Sequence, residues 1–270
     1  MLTLKGIKNW LDSLFKEQKE EANGMNQTNG KDYRRVLVIG DIHGNYRRFQ
    51  SLYSKLQVSS EDLVIFLGDY IDRGNDNLLM LRWIMRESQN ENIIALRGNH
   101  EQMMLDYYQD DDLNWIFNGG NHTHREIKVK LKENPNLLAE ILEFADGLPL
   151  SYRRTVNGKD YYFCHAGVDP KKPLEEQDEM SLLWIREEFF KHYDGDSIIV
   201  TGHTPILLLN PEGSLEFWCR DSKIFANKKN IRPQWRRGGK ILLMDTGSYF
   251  PNGCISCIDL ISGRVETSDE

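Results

Sequence analysis

One pattern recurs from Arg34 onward and constrains the fold more than anything else in the chain. A short apolar run, rich in β-branched residues, stops abruptly at Gly, Asp, Asn or His. The first three runs are Val36–Ile39 before Gly40-Asp41, Leu63–Leu67 before Gly68-Asp69, and Ile93–Leu96 before Arg97-Gly98-Asn99-His100. Three more follow: Tyr161–Cys164 before His165, Ile198–Val200 before Thr201-Gly202-His203, and Ile241–Met244 before Asp245. Runs this short and this continuously apolar read as strands covered on both faces. Helical periodicity over Tyr46–Leu56 and Asn77–Ser88 separates the first three, which predicts βαβ units and a parallel start to the sheet. The expected class is therefore α/β. In open α/β sheets, groups just beyond the carboxyl ends of the strands converge in space. The segment Gln102–Leu150 reads as mostly helical and as a candidate cap, with no internal repeats and no clear second domain.

The residues at those strand ends carry the chemistry. Gly40-Asp41-Ile42-His43-Gly44, Gly68-Asp69-Tyr70-Ile71-Asp72-Arg73-Gly74, Gly98-Asn99-His100-Glu101, His165-Ala166-Gly167 and Gly202-His203-Thr204 are modest motifs taken singly. Together they offer Asp41, Asp69, Asn99, His43, His165 and His203, oxygen and nitrogen donors without thiolates, a set suited to Mn²⁺, Fe or Zn²⁺. Polar groups clustered beside a core are costly without partners, and a two-metal centre accounts for all of them. Two divalent ions about 3.5–4 Å apart can clamp the attacking and leaving oxygens of an in-line displacement and acidify a water.

Composition excludes other classes. The 270 residues carry 34 Lys+Arg against 41 Asp+Glu, a net charge of −7, which disfavours a general nucleic-acid binder. No apolar stretch approaches the roughly 20 residues of a membrane span. The cysteines Cys164, Cys219, Cys254 and Cys257 are too sparse for a disulfide framework, so a reducing, cytoplasmic location is expected. Cys254 and Cys257 form a lone CxxC in a strand-like run with no second pair, and read as ordinary strand residues. Met1–Glu20 is charged throughout and is no signal peptide. Leu4, Ile7, Leu11, Leu14 and Phe15 fall at helical spacing, so residues 1–31 read as an amphipathic helix and linker, a candidate docking element, ahead of a catalytic domain over 32–270.

The ordered motifs GDIHG, GDYIDRG, GNHE, HAG and GHT resemble the bacterial branch of the phosphoprotein phosphatase family of binuclear metallophosphoesterases, over roughly Arg34–Leu260. Leu183-Trp184-Ile185-Arg186, Asn118-Gly119-Gly120 and Asp245-Thr246-Gly247 extend the resemblance, and Pro205 stands where cyclic-nucleotide phosphodiesterases tend to carry a second His. The resemblance implies the calcineurin-like, four-layer αββα version of the fold, a central β-sandwich flanked by helices. It further implies two divalent metal ions, Mn²⁺ above the alternatives, with Asp41, His43 and Asp69 on the first. Asp69 would bridge to the second, completed by Asn99, His165 and His203. His100 is expected as general acid, Asp72 as the carboxylate orienting it, and Arg73 and Arg186 as the grip on the phosphoryl oxygens. The expected reaction is hydrolysis of phosphate monoesters by direct attack of a metal-bridging hydroxide, on phosphoserine and phosphothreonine in proteins, with phosphotyrosine or small phosphoesters as further substrates. Symmetrical hydrolysis of diadenosine tetraphosphate is the alternative chemistry, and a non-catalytic binding module the alternative of another class.

Weaker features carry blander expectations. Cys164 beside His165 is a tempting nucleophile, but as the end of an apolar strand it should point away from the site. His122 and His124 read as solvated, and Asp110–Asp112 as a loop or a helix start. The stretch Lys223–Lys240, with seven basic and no acidic residues, is either a solvated loop or an electrostatic guide overhanging the site.

Overall fold

Strand β1 (Arg35–Ile39) pairs in parallel with β2 (Asp62–Phe66), from Arg35 opposite Asp62 to Ile39 opposite Phe66, and β2 pairs in parallel with β3 (Ile93–Ala95). The computed structural model describes residues 31–210, 212–215 and 231–269. The expected leader helix lies outside the described residues, as do Cys219, Lys223, Lys228 and Lys229. Helices α1 (Tyr46–Leu56) and α2 (Asn77–Glu87) connect these strands, within one residue of the span that periodicity predicts. Phe49, Leu52 and Leu56 form the buried stripe of α1, at the i, i+3, i+7 spacing that faces a core. The first sheet is completed by β9 (Ser256–Asp259), antiparallel to β1, and β10 (Val265–Thr267), in the order β10-β9-β1-β2-β3. After β3 come α3 (Asn99–Asp110), a π-turn at Ile116–Gly120, α4 (Asn121–Lys130) and α5 (Leu137–Asp146), the expected helical segment.

A second sheet has the order β4-β5-β6-β8-β7. Its members are β4 (Ser151–Val156), β5 (Lys159–Cys164), β6 (Ile198–Thr201), β7 (Gln234–Arg236) and β8 (Ile241–Leu243), with β5, β6 and β8 mutually parallel. Two short helices, α6 (Glu179–Trp184) and α7 (Glu187–His192), lie between β5 and β6.

Strand alternation decides the layers. Val36 and Val38 of β1 and Leu63 and Ile65 of β2 point to one face, where they meet Tyr152, Phe163, Val200 and Leu242 of the second sheet. Leu37, Ile39, Val64 and Phe66 point to the other face, against α1, α2, α3 and α5. In the second sheet Tyr162, Cys164, Ile199, Ile241 and Leu243 face outward against Leu182, Phe189 and Phe190. Helices, sheet, sheet, helices: this is the four-layer arrangement, and it explains why the runs are continuously apolar. All six parallel strands present their carboxyl ends to one edge of the sandwich.

Asp110–Asp112 is the expected loop and helix start: Asp110 ends α3, Asp111 lies in the left-handed region, and Asp112 accepts the Asn114 N–H at 2.9 Å where the chain turns helical again. Two expectations change. His124 is half-buried, its Nδ1 2.8 Å from the Tyr108 hydroxyl and its ring beside Tyr107 and Trp115, whereas His122 is exposed as expected. Arg236 and Lys240 sit where β7 and β8 begin their pairing, with Arg236 opposite Ile241, at the end of the sheet away from Asp245. Arg237 donates from Nε to the Tyr193 carbonyl there at 3.0 Å. These three are packed at the wrong end to overhang the strand ends.

Candidate metal centre

The strand ends place every expected donor below the surface. Asp41, His43, Asp69, Asn99, His165 and His203 are all at most 5% exposed, as are Asp72 and His100. The turns that deliver them are strained: His43, Asp69, Asp72, Arg73 and His203 are five of the nine described non-glycine residues with positive φ. Glycine is required where strands abut. A Cβ on Gly98 would lie 2.2 Å from Asp69 Oδ1, and one on Gly202 would lie 2.0 Å from Asp41 Oδ1.

Asp69 is the hub. Its Oδ2 lies 3.5 Å from His43 Nε2 and 3.9 Å from His100 Nε2, and its Oδ1 lies 3.4 Å from His165 Nε2. Two donor groups share it, His43-Asp69-His100 and Asp41-Asp69-His165, each with ligand atoms within 4.8 Å of one another. Asn99 Oδ1 joins the second group, 2.8 Å from His165 Nε2 and 2.9 Å from His203 Nδ1.

The hydrogen-bond chemistry bears on what this cluster can hold. His165 Nδ1 faces the Leu67 carbonyl at 2.8 Å and must donate to it, so its Nε2 carries a bare lone pair in the neutral ring. Burial depresses the pKa of His165, favouring that neutral form. The lone pair nevertheless points at two acceptors, Asn99 Oδ1 and Asp69 Oδ1. His43 is fixed in the same way, Nδ1 donating to the Ile71 carbonyl at 3.0 Å, and its Nε2 lies beside the Asp41 and Asp69 carboxylates with Arg73 as its one donor. The lone pair of His165 aimed at lone pairs, together with a buried and unpartnered His203 Nε2 and Asp245 Oδ2, fits divalent cations among these residues. Charge crowding says the same. Burial, then Asp245 and Asp69, push the Asp41 carboxyl well above the usual range, and burial lifts Asp245 to about 6. For Asp69 burial works in the same upward direction, but His165, His100, His43 and Arg73 outweigh it and hold the carboxyl low.

Beside the donors, His100 Nδ1 meets Asp72 Oδ2 at 2.6 Å, which leaves Nε2 facing Asp69. Arg73 is exposed, donates from an Nη to His43 Nε2 at 2.7 Å and stacks on the Tyr249 ring at 4.4 Å. Arg186 does not ride on a helix. It occupies the break between α6 and α7, at φ −136° and ψ −102°, and donates to Thr204 Oγ1 at 2.8 Å. The guanidinium there is close enough to feel the charges of Asp245, Asp41 and Asp69. Cys164 is fully buried, with its thiol directed to the Gly167 carbonyl at 3.4 Å and its pKa raised by burial, so it offers no nucleophile.

Sequence reasoning passed over several supports. Glu101 is fully buried and accepts the backbone N–H groups of Asp69 (2.9 Å), Tyr70 (2.9 Å) and Gly98 (3.0 Å), tying the second and third strand ends together. Its place directly after His100 was a usable signal. Asp245 opens the late strand-end motif and Tyr249 lies two residues beyond it, and only their packing shows that they reach the cluster.

Residues 34–232 match the calcineurin-like phosphoesterase family. The chain belongs to that family. It is a metal-dependent hydrolase of phosphoesters; the family implies divalent metal ions, and the two Asp69-sharing groups could hold such ions. Among named relatives, serine/threonine-protein phosphatase 2 of Salmonella typhimurium is 32% identical over 168 residues, covering 61% of this chain and 73% of that protein. An asymmetrical bis(5'-nucleosyl)-tetraphosphatase of Oceanobacillus iheyensis is 25% identical over 224 residues, covering 72% of this phosphoesterase and 86% of that one. In structure, a cold-active protein tyrosine phosphatase superposes with a TM-score of 0.58 at 17% identity, covering 92% of this chain and 82% of that one, a likeness of fold. No described helix is long and apolar enough to cross a membrane.

Proposed function

We propose that this phosphoesterase is a protein phosphatase acting on phosphoserine and phosphothreonine, with phosphotyrosine and small phosphate monoesters as further substrates. The observation that carries the reading is the buried 2.6 Å His100–Asp72 pair opening onto the Asp69-centred donors. Asp41, His43 and Asp69 would hold one ion, and Asn99, His165 and His203 the other, with Asp69 shared. When bound, such ions supply Lewis-acid charge and an acidified water, and the oxygen and nitrogen donors suit Mn²⁺.

The remaining chemistry belongs to the chain. Arg73, exposed at the rim, and Arg186, at its helix break, bind the phosphoryl oxygens, where a guanidinium can donate two parallel hydrogen bonds. Hydrolysis breaks the bond between phosphorus and the ester oxygen and forms one to the oxygen of water. The departing alkoxide takes the Nε2 proton of His100, and the proton released by water restores it, so ester plus water gives alcohol plus phosphate. Asp72 accepts from His100 Nδ1 and so holds the ring with Nε2 inward. The catalytic domain would span residues 32–270, with residues 1–31 as a candidate docking element.

The Oceanobacillus relative favours a second reading, a dinucleoside tetraphosphate as substrate, and its name specifies asymmetrical cleavage instead of the symmetrical reaction expected from the motifs. Manganese-loaded protein assayed on phosphoserine, phosphothreonine and phosphotyrosine peptides and on diadenosine tetraphosphate separates the two. The proposal expects the highest kcat/KM on a phosphopeptide. A tenfold or greater preference for the dinucleotide would overturn it, and ATP plus AMP, as against two ADP, would then define the cleavage.

A further inference from the structure

We propose that Trp115 and Thr123 are positioning residues for the Asp72–His100 pair, so that the segment following α3 fixes the direction in which His100 delivers its proton. The inference rests on the proton-donor reading of His100 given above.

The Asp72 carboxylate is fully buried and saturated with donors. Its Oδ2 accepts from His100 Nδ1 at 2.6 Å and from Trp115 Nε1 at 2.8 Å, and its Oδ1 accepts from Thr123 Oγ1 at 2.5 Å. The Asp72 backbone N–H donates to Asn77 Oδ1 at 2.7 Å, and Asn77 Nδ2 in turn donates to Glu126 Oε1 at 2.6 Å. Thr123 and Glu126 both lie on α4, so one helix steadies the carboxylate and the backbone behind it. A buried carboxylate held only by His100 could rotate about its side-chain bonds. One held by indole, hydroxyl and imidazole has a single plane, and the polar network is stiff because every member is paired.

The surroundings are shaped for this. Trp115 and Thr123 are fully buried, and the indole is enclosed by Tyr107, Tyr108 and His124. A Cβ on Gly120 would come within 2.5 Å of the indole, so the π-turn admits Trp115 only with glycine there. The neighbouring Gly119, at φ 107°, would place a Cβ 3.0 Å from the Arg73 side chain. The same turn therefore backs both the proton-donating pair and the phosphate-facing arginine. The hydrogen bonds from Trp115 and Thr123 come from 43 and 51 residues beyond Asp72, outside its own loop.

The consequence is selective. An alkoxide leaving group, as in phosphoserine, needs a proton as the ester bond breaks, whereas p-nitrophenolate leaves without one. Thr123→Val removes one hydrogen bond with little change in shape, while Trp115→Phe removes one hydrogen bond together with part of the buried indole, so Thr123→Val is the cleaner of the two. With the manganese-loaded full chain, each should lower kcat on a phosphoserine peptide about 10- to 100-fold, part of what a general acid contributes. kcat on p-nitrophenyl phosphate, KM for both substrates and metal content should change by less than about threefold, with Thr123→Ser, which keeps the hydroxyl, close to the parent on both. Equal fractional losses on the two substrates, or no loss, would overturn the inference. Asp72→Asn, run alongside, distinguishes the levels. Selectivity in Asp72→Asn but not in the Trp115 and Thr123 variants refutes only the positioning role, whereas its absence in Asp72→Asn refutes the proton-donor reading as well.

Discussion

The two ends of the paired strands β1 and β2 treat buried carboxylates in opposite ways. At the amino end, Asp62 is fully buried and met by two guanidinium groups, Arg35 at 2.7 Å and Arg34 at 3.1 Å, with Ser59 N–H at 2.8 Å. Against the opposing effect of burial, these partners hold its pKa far below the usual range. At the carboxyl end of the same strands, Asp41 and Asp69 crowd together with Asp245, and burial and mutual repulsion push Asp41 far above it. The first end carries its countercharge within the sequence. The second end has no such matched partners: burial depresses the pKa of His43, His165 and His203, and the carboxylates they face are left with a shortfall of positive charge that suits divalent cations. The comparison teaches how to tell a structural ion pair from a functional one: burial is common to both, and saturation is not.

The contrast is broken most severely at the hub. Asp69→Asn should lower kcat by about three orders of magnitude or more, about 4 kcal/mol of lost transition-state stabilisation, with metal content falling in parallel. Near-normal turnover would mean that the carboxyl end is no more functional than the amino end.

His100 comes next, because the geometry allows it two roles. Its Nε2 stands among the donors of the first group, while its Nδ1 is committed to Asp72. His100→Asn should reduce kcat about 10²- to 10⁴-fold with metal stoichiometry retained. Loss of one ion per chain by elemental analysis would reassign it as a ligand.

Thermal unfolding sharpens the comparison further. Saturating Mn²⁺ at 100 times its Kd should stabilise the chain by about 2.7 kcal/mol, roughly 5–10 °C in Tm, and chelation should reverse the gain. Asp62→Asn should keep the full metal-dependent shift, because its charge is balanced internally. That variant carries the smallest predicted effect: about 2 kcal/mol of stability at pH 7 with kcat unchanged. The sign follows from the depressed folded pKa. The Asp62 contribution is complete above the unfolded value of about 3.9 and is lost as pH falls through and below it, so wild type and variant should converge in acid. A constant difference down to pH 2, followed by chemical denaturation, would show that packing and not charge is responsible.

Much of this was legible beforehand because strand ends are local events. A β-branched run followed by Gly-Asp or Gly-Asn-His encodes where a strand stops and which donor follows, and both halves of the sandwich repeat the device. Other features depend on contacts that no local pattern records. Arg236, Arg237 and Lys240 looked close to the site by their nearness to Asp245, yet β8 carries its two ends to opposite edges of the sheet. Arg186 looked helical by motif, but the chain breaks there. His124 looked solvated because its neighbours in sequence are polar, while its neighbours in space are aromatic.

What the sequence alone determined is the inventory and its periodicity: six apolar runs, two α-helices between the first three, and donors at intervals that suit oxygen- and nitrogen-ligated metals. What the tertiary structure decided is which lone pairs face one another and what holds them. The opposition of His165 Nε2 to Asn99 and Asp69, the tie of Glu101 across two strand ends, and the clasp of Trp115 and Thr123 on Asp72 all join residues at least 31 positions apart. Periodicity reports the environment of a residue along its own element, and hydrogen-bond direction is fixed only when separate elements pack.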